Sequence, residues 1–428
     1  MTSISITTPT PKTPAVDAAG RLGIPLAARA DQLVGSVIDS STSLLAAQTH
    51  DIVRFAMGSP ADEAIPVDEF NDIAGRMNAG TLGYGATEGE PVLIDQLVQY
   101  LGTTAAPTAA ERVTITAGGM QGLDLACKLF INPGDLVIVE SPTYTNGSAT
   151  ALSYGAELIE APMDDDGLIV EALPELVEKA GRTPKAIYVI PNFQNPSGTT
   201  LSLARRELLL ELSTKWNAVI IDDDPYGLLR FEGEDLPGFQ QLSPNNPLLF
   251  SVRTFSKILA PGLRVGWVEA DPSMRQLVIH AKQAMDTCTN VPAQQLIAEY
   301  IRRGKLDDHL GSLKGVYRER KAAMLTSIER HLGNRVTTTD PDGGFFLWVT
   351  LQGEDAKVST SELFKTALAA GVAFIPGPAL SAGGKFDDAL RVCFASSTPE
   401  RIDVGVQRLT HALDAARDGA TAGPRAVR

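Results

Sequence analysis

The run Ala218-Val219-Ile220-Ile221 is apolar at every position and is followed at once by Asp222-Asp223-Asp224. A strand with one face in water alternates apolar and polar residues; a strand without that alternation is covered on both faces. Further short β-rich runs lie at Val113-Ile115, Leu136-Glu140, Ala186-Ile190, Leu248-Val252 and Val265-Glu269, with amphipathic stretches such as Met120-Phe130 and Leu203-Trp216 between them. Strand, helix, strand at this spacing calls for parallel crossover units. The middle of the chain is therefore predicted to be an α/β unit, a mostly parallel sheet sandwiched by helices.

Beyond about residue 270 the texture changes. Helices are predicted over 273–286, 293–302 and 306–331, the last highly charged and expected to be largely solvent-exposed. Strands near 344–349 and 390–394 and helices near 361–370 and 399–416 then predict a smaller α+β domain. The expected organisation is an N-terminal arm and first helix over 1–65, a large domain over 66–305 and a small C-terminal domain over 306–428. The first 19 residues, rich in Ser, Thr and Pro, read as a disordered arm without an export signal, and the tail from Asp418 as frayed.

Composition narrows the function. Of 428 residues 44% are hydrophobic, enough for a large core, and the net charge of −14 argues against nucleic acid or an anionic membrane surface as partner. Cations that hold an anion must then be gathered locally. Cys127, Cys288 and Cys393 are far apart, which fits a reducing cytoplasm and argues against a disulfide scaffold or zinc site. No run is long and apolar enough to span a bilayer. His50, His280, His309, His331 and His411 form no metal-ligand or triad pattern, so no metal is expected.

In doubly wound sheets ligands bind outside the carboxyl ends of the strands, and the unusual residues of this chain fall there. Ser256-Lys257, with Arg264 soon after, follows the strand that ends near Val252. A lysine so placed can form a Schiff base with a carbonyl cofactor while hydroxyls and a guanidinium hold that cofactor's phosphate. Gly118-Gly119-Met120-Gln121 joins a strand to a helix, and a glycine turn at a helix N-terminus suits an anion, although taken alone it is only a turn. Tyr144 could lie on a flat ring or simply pack at a loop. Asn195, before a proline, could donate a hydrogen bond or form an ordinary turn. Three carboxylates at the end of an apolar strand are costly unless one meets a cation, such as a protonated pyridine nitrogen; the plain alternative is capping and solvation. Arg391 lies inside the apolar strand Leu390-Phe394 and requires an anion, either a substrate carboxylate or an internal partner.

These phrases occur together and in order. The chain carries Tyr84-Gly85-Ala86-Thr87-Glu88-Gly89, the Gly-Gly-Met-Gln turn, Glu140-Ser141-Pro142-Thr143-Tyr144, Asn192-Phe193-Gln194-Asn195-Pro196-Ser197-Gly198, Asp222-Asp223-Asp224-Pro225-Tyr226, Phe255-Ser256-Lys257 with Ala260-Pro261-Gly262-Leu263-Arg264, Pro341-Asp342-Gly343-Gly344-Phe345-Phe346 and Leu390-Arg391-Val392-Cys393. From about residue 50 to 415 it resembles the class I/II, fold-type-I pyridoxal-phosphate aminotransferases, in the branch containing 2-aminoadipate aminotransferases.

The resemblance implies pyridoxal 5′-phosphate as cofactor and amino-group exchange between an L-amino acid and a 2-oxo acid. It implies that Lys257 bonds the cofactor and shuttles the α-proton, that Asp223 pairs with the pyridine nitrogen, and that Asn195 and Tyr226 reach the ring hydroxyl. Tyr144 would stack on the ring. Gly119, Met120, Gln121, Thr254, Ser256 and Arg264 would hold the phosphate, and Arg391, with Asn195, the substrate carboxylate. Tyr84 would reach the phosphate of a neighbouring subunit, so a cytoplasmic homodimer with shared sites is expected. Thr254 replaces the usual serine and keeps its hydroxyl. The stretch Gly35-Ser36-Val37-Ile38-Asp39-Ser40-Ser41-Thr42 lacks the arginine that related enzymes commonly carry there, which speaks against an acidic substrate side chain. The same residues also serve a C–S β-lyase or a decarboxylating oxidative deaminase in a specialised biosynthetic pathway, and a cofactor-binding sensor without turnover is a third reading.

Overall fold

A computed structural model describes residues 49–421 apart from 105–106, together with positions 27, 29, 30, 33 and 35. The expected N-terminal arm, the stretch 36–42 and the end of the tail from 422 lie outside the described residues.

In chain order the strands are β1 (Val53–Arg54), β2 (Val113–Thr116), β3 (Leu136–Ser141), β4 (Glu157–Asp164), β5 (Gly167–Leu168), β6 (Ala186–Val189), β7 (Val219–Asp223), β8 (Leu249–Thr254), β9 (Gly266–Ala270), β10 (Val336–Thr338), β11 (Phe346–Leu351), β12 (Val372–Ala373), β13 (Ile375–Pro376) and β14 (Ala389–Cys393). Eight of them form one sheet in the order β2-β9-β8-β7-β6-β3-β4-β5. Strands β8, β7, β6, β3 and β4 run parallel, as the crossover pattern requires. Strand β9 runs antiparallel to both β8 and β2. Its link to β8 is the loop that carries Ser256, Lys257 and Arg264, and it contains no crossover helix.

The unbroken apolar runs have a direct cause. Val219 and Ile221 of β7 point into one core with Val137, Tyr188, Phe250 and Val252, whereas Ile220 points into the other with Ile138, Ile187, Val189 and Leu249. Each strand is thus buried on both faces, and its two-residue period sends successive side chains into different cores. Strands β4 and β5 are absent from the sequence-based expectation. Glu157–Asp164 mixes exposed acids with Pro162 near the sheet margin, which masks its pattern.

The C-terminal part builds an antiparallel sheet in the order β10-β11-β14-β13, while β1 pairs in parallel with β12. Arg391 sits at the centre of β14, opposite Trp348 on one side and Ile375 on the other. The helix Lys305–His331 is less exposed than its charge suggests. It buries Leu306, Leu310, Leu313, Tyr317, Met324 and Ile328 along one stripe, and Arg320 and Lys321 are buried in ion pairs with Glu63 and with Asp340 and Glu232. The last helix runs from Pro399 to Thr421, past the expected end at 416.

A cluster of rings joins the two sheets beside the site. Phe345 lies 5.4 Å from Tyr226 and 5.2 Å from Tyr317, centroid to centroid. Phe345→Ala is expected to cost about 3–5 kcal/mol in chemical denaturation, while Lys365→Ala, whose side chain is 70% exposed, should stay within about 0.5 kcal/mol.

Candidate active site

A cavity of about 370 Å³ opens at the carboxyl ends of the parallel strands. Lys257, Asp223, Tyr226, Gly119, Met120, Tyr144, Asn195, Thr254, Ser256, Arg264 and Arg391 all line it. Of the residues singled out from sequence, Gln121 and Tyr84 do not.

The strand period decides which aspartate faces the cavity. Asp223 shares the face of Val219 and Ile221. Its Oδ2 accepts a hydrogen bond from Tyr188 Oη at 2.9 Å, and the residue is 7% exposed. Asp222 points the other way and accepts from Arg253 Nη2 at 2.7 Å and Ser251 Oγ at 2.9 Å. Asp224 is used by the loop, accepting from Gly227 N and Asn192 Nδ2. Burial, reinforced by the like charges of Asp222 and Asp224, pushes the Asp223 carboxyl up to about 7 even though the Tyr188 hydrogen bond and Arg253 pull it down. Among the described residues no cation forms an ion pair with Asp223.

Lys257 Nζ donates to the Gly58 carbonyl at 2.6 Å. Burial, then the positive charge of Arg391, lowers its pKa to about 8. The amine therefore reaches its neutral, nucleophilic form near physiological pH.

The anion corner is assembled from three chain segments. Thr254 Oγ1 donates to Ser256 Oγ at 2.9 Å, and Arg264 Nη1 donates to the same Ser256 oxygen at 3.3 Å. Facing them, the helix Gly119–Phe130 starts at the glycine turn, where the first backbone N–H groups lack helical partners. Gly118 has φ of 81°, and a Cβ there would lie 2.5 Å from Arg264 Nη2. A Cβ on Gly266 would meet the Arg253 carbonyl of β8 at 2.5 Å and Gly119 N of the turn at 3.1 Å, so β9 can pass this close to both only without a side chain. Gln121 keeps its side chain behind the turn, accepting from Ala117 N at 2.8 Å and donating to Asp286 at 2.8 Å.

Arg391 closes the opposite end. It is 1% exposed, donates to Asn195 Oδ1 at 2.9 Å and to the Ala56 carbonyl at 2.7 Å, and stacks 4.1 Å above Phe346. Its Nε is buried with no hydrogen-bond partner among the described residues. A guanidinium held by neutral oxygens, with one donor unused, suits a carboxylate. Asn195 thus accepts from Arg391 here and orients it. Tyr226 packs against Phe345 and Phe346. Tyr144 Oη approaches Met120 Sδ at 3.6 Å and accepts from Asn146 Nδ2 at 3.1 Å.

Several residues of the site carry no separate sequence signal. Tyr188 looks like an ordinary strand aromatic. Gly58 marks a loop. Glu140, buried and raised to about 8 by that burial, accepts from Ile190 N and Gln194 Nε2 and so ties down the loop that carries Asn195. Its place at a strand end before Ser-Pro was visible, but its role was not. Tyr84 stands apart, 93% exposed on the single chain.

The residues present fit pyridoxal phosphate: a buried carboxylate without a paired cation for a ring nitrogen, a lysine with a lowered pKa for the aldehyde, and a hydroxyl and guanidinium corner at a helix N-terminus for the phosphate.

The family profile described as aminotransferase class I and II matches residues 50–409. The chain is 36% identical to aromatic-amino-acid aminotransferase 1 of Thermococcus litoralis, covering 86% of this chain and 89% of that one. It is 34% identical to 2-aminoadipate transaminase of Thermus thermophilus, covering 86% and 91%. Kynurenine aminotransferase of Pyrococcus horikoshii, solved with PMP, superposes with a TM-score of 0.84 at 33% identity, over 91% of this chain and 97% of that one.

The raised Asp223 pKa has a consequence for stability. An unburied aspartate titrates near 3.8 and the folded one near 7, so between these values the folded state binds the extra proton and stability falls as pH rises. Cofactor-free Asp223→Asn is therefore expected to melt above the cofactor-free parent at pH 8. The difference should shrink as pH falls toward 4, and affinity for pyridoxal phosphate should drop in the same variant.

Proposed function

Because the chain belongs to the class I and II aminotransferases, uses pyridoxal 5′-phosphate and moves amino groups between amino acids and 2-oxo acids, we propose that its donor is an L-amino acid with an uncharged, largely apolar side chain. The observation that carries this is the inventory of cations. Among the described lining residues these are Lys257, Arg264 and Arg391, one each for the cofactor carbonyl, the phosphate and the α-carboxylate. The remaining wall includes Met57, Met120, Tyr144, Ile190 and Phe346, which offers contact to an apolar or aromatic side chain and no ion pair to a second carboxylate. The missing arginine in 35–42 supports the same reading.

The proposed division of labour follows from position. Arg391, oriented by Asn195, grips the α-carboxylate and so sets the α-carbon over Lys257. Bound pyridoxal phosphate supplies a conjugated ring that takes up the electron pair left when the α-proton departs. Lys257 Nζ accepts that proton and returns it at the other end of the exchange. Asp223, steadied by Tyr188, keeps positive charge on the ring nitrogen, and Tyr226 hydrogen-bonds the ring hydroxyl. Tyr144 covers one ring face. Thr254, Ser256, Arg264 and the N–H groups at Gly119 and Met120 hold the phosphate.

We further propose a homodimer in which Tyr84 completes the neighbour's phosphate site. In support, Tyr84 and the nearby Leu82 are exposed by 93% and 76% on the single chain, a cost that a second copy would remove. A reducing cytoplasm is the proposed compartment, consistent with Cys127, Cys288 and Cys393 remaining unbridged. No described helix is long and apolar enough to cross a membrane. The named relatives transfer amino groups, so the lyase and oxidative-deaminase readings are not carried further.

The test is product analysis with cofactor-loaded protein, an amino-acid panel and no acceptor. A 2-oxo acid equal in amount to enzyme, without ammonia, is expected, with phenylalanine and leucine reacting faster than aspartate and 2-aminoadipate. Faster reaction of the acidic donors would contradict the proposed substrate class.

A further inference from the structure

The glycine turn of the anion corner is backed by a chain of polar groups that no step of the reaction uses. Lys282 is 0% exposed, and its Nζ donates to Asp286 Oδ1 at 2.7 Å. Asp286 Oδ2 accepts from Gln121 Nε2 at 2.8 Å, and Gln121 Oε1 accepts from Ala117 N at 2.8 Å. Only one orientation of the Gln121 amide satisfies both neighbours. A flip would set its NH₂ against a backbone donor and its oxygen against a carboxylate. Asp286 therefore dictates which end of the amide meets the turn, and Lys282 neutralises the charge that does so.

The turn has little room to settle elsewhere. Arg264 closes one side of Gly118, and Gly266 of β9 closes the other, since a Cβ there would lie 3.0 Å from the Gly118 carbonyl carbon and 3.1 Å from Gly119 N. The segment that carries Asp286 is itself anchored: Thr289 Oγ1 approaches the Ile115 carbonyl at 3.4 Å, and the Thr289 carbonyl accepts from Gln294 Nε2 at 2.9 Å. An ion pair that buries one of its charges, as this one buries Lys282, is a poor source of stability compared with apolar residues of the same shape, so its value lies in the geometry it imposes.

We propose that Asp286, held by Lys282, is a positioning residue for phosphate binding: it locks Gln121, Gln121 locks Ala117, and the turn then presents the N–H groups of Gly119 and Met120 to the phosphate. Gln121 serves the phosphate through the backbone and not by direct contact of its side chain. This rests on the proposed reading of the Gly119, Ser256 and Arg264 corner as the phosphate site.

The experiment compares pyridoxal 5′-phosphate with pyridoxal, which has the same ring and aldehyde and no phosphate, as ligands of cofactor-free protein by spectroscopic titration. Gln121→Met removes the brace alone. The double variant Lys282→Met/Asp286→Leu removes both charges of the pair together, so that neither is left unpaired. Ser256→Ala reports on the corner itself. In Gln121→Met and in the double variant, affinity for the phosphorylated ligand should fall about tenfold or more while affinity for pyridoxal stays within about twofold. Equal losses for both ligands, or no loss for either, while Ser256→Ala loses affinity for the phosphorylated ligand and not for pyridoxal, would overturn the positioning role and leave the phosphate site standing. Loss of selectivity from no variant, Ser256→Ala included, would overturn the phosphate site and this inference with it.

Discussion

Arg391 is a full positive charge in the protein interior whose partners among the described residues are neutral: the side-chain oxygen of Asn195, the carbonyl of Ala56 and the face of Phe346. Burial alone lowers its pKa, yet an arginine does not give up its proton under ordinary conditions. In the proposed reading the charge is tolerated until a substrate carboxylate arrives. Everything around it serves that tolerance. Strand β14 fixes its backbone between β11 and β13, the loop tied down by Glu140 and Gln194 brings up Asn195, and β1 leads directly to Ala56. Arg391 thus joins the C-terminal sheet, the loop after β6 and the segment after β1 at one point, and the cavity exists where they meet.

The opposite charge has been treated in the same way. Asp223 faces the cavity because β7 alternates, and its neighbours Asp222 and Asp224 are consumed by Arg253 and by the following loop. A buried cation and a buried anion thus stand at one cavity without forming an ion pair with each other. Each is expensive alone, and each matches one end of the proposed chemistry: a substrate carboxylate and a ring nitrogen. Lys257 lies between them in function, and the burial that makes the charges costly lowers its pKa, so that its amine is neutral enough to react.

Much of this was legible in the chain. The unbroken run 218–221 fixed a strand buried on both faces, and strand-end placement gathered most of the site residues at one cavity. What escaped was set by long-range geometry. Tyr188 gains its role only because parallel pairing aligns β6 with β7, and no local pattern states which strands pair. The direction of β9 depends on a loop without a helix. Gln121 was assigned to the phosphate by its neighbours in sequence, but its side chain turns back to Asp286, 165 positions away. The helix Lys305–His331 looked solvent-exposed from its charges, and its buried stripe appears only against the sheets it covers.

The central claim, that the Arg391 charge is kept for a substrate carboxylate, can be tested by removing each partner in turn. Single-turnover rates would be measured for the parent and for Arg391→Gln with phenylalanine and with phenethylamine, which lacks the carboxylate. A loss of about a hundredfold or more is expected for phenylalanine in the variant, and almost none for phenethylamine, because the amine has nothing for Arg391 to hold. Equal losses for both donors would contradict it, and would make Arg391 a structural charge of the fold.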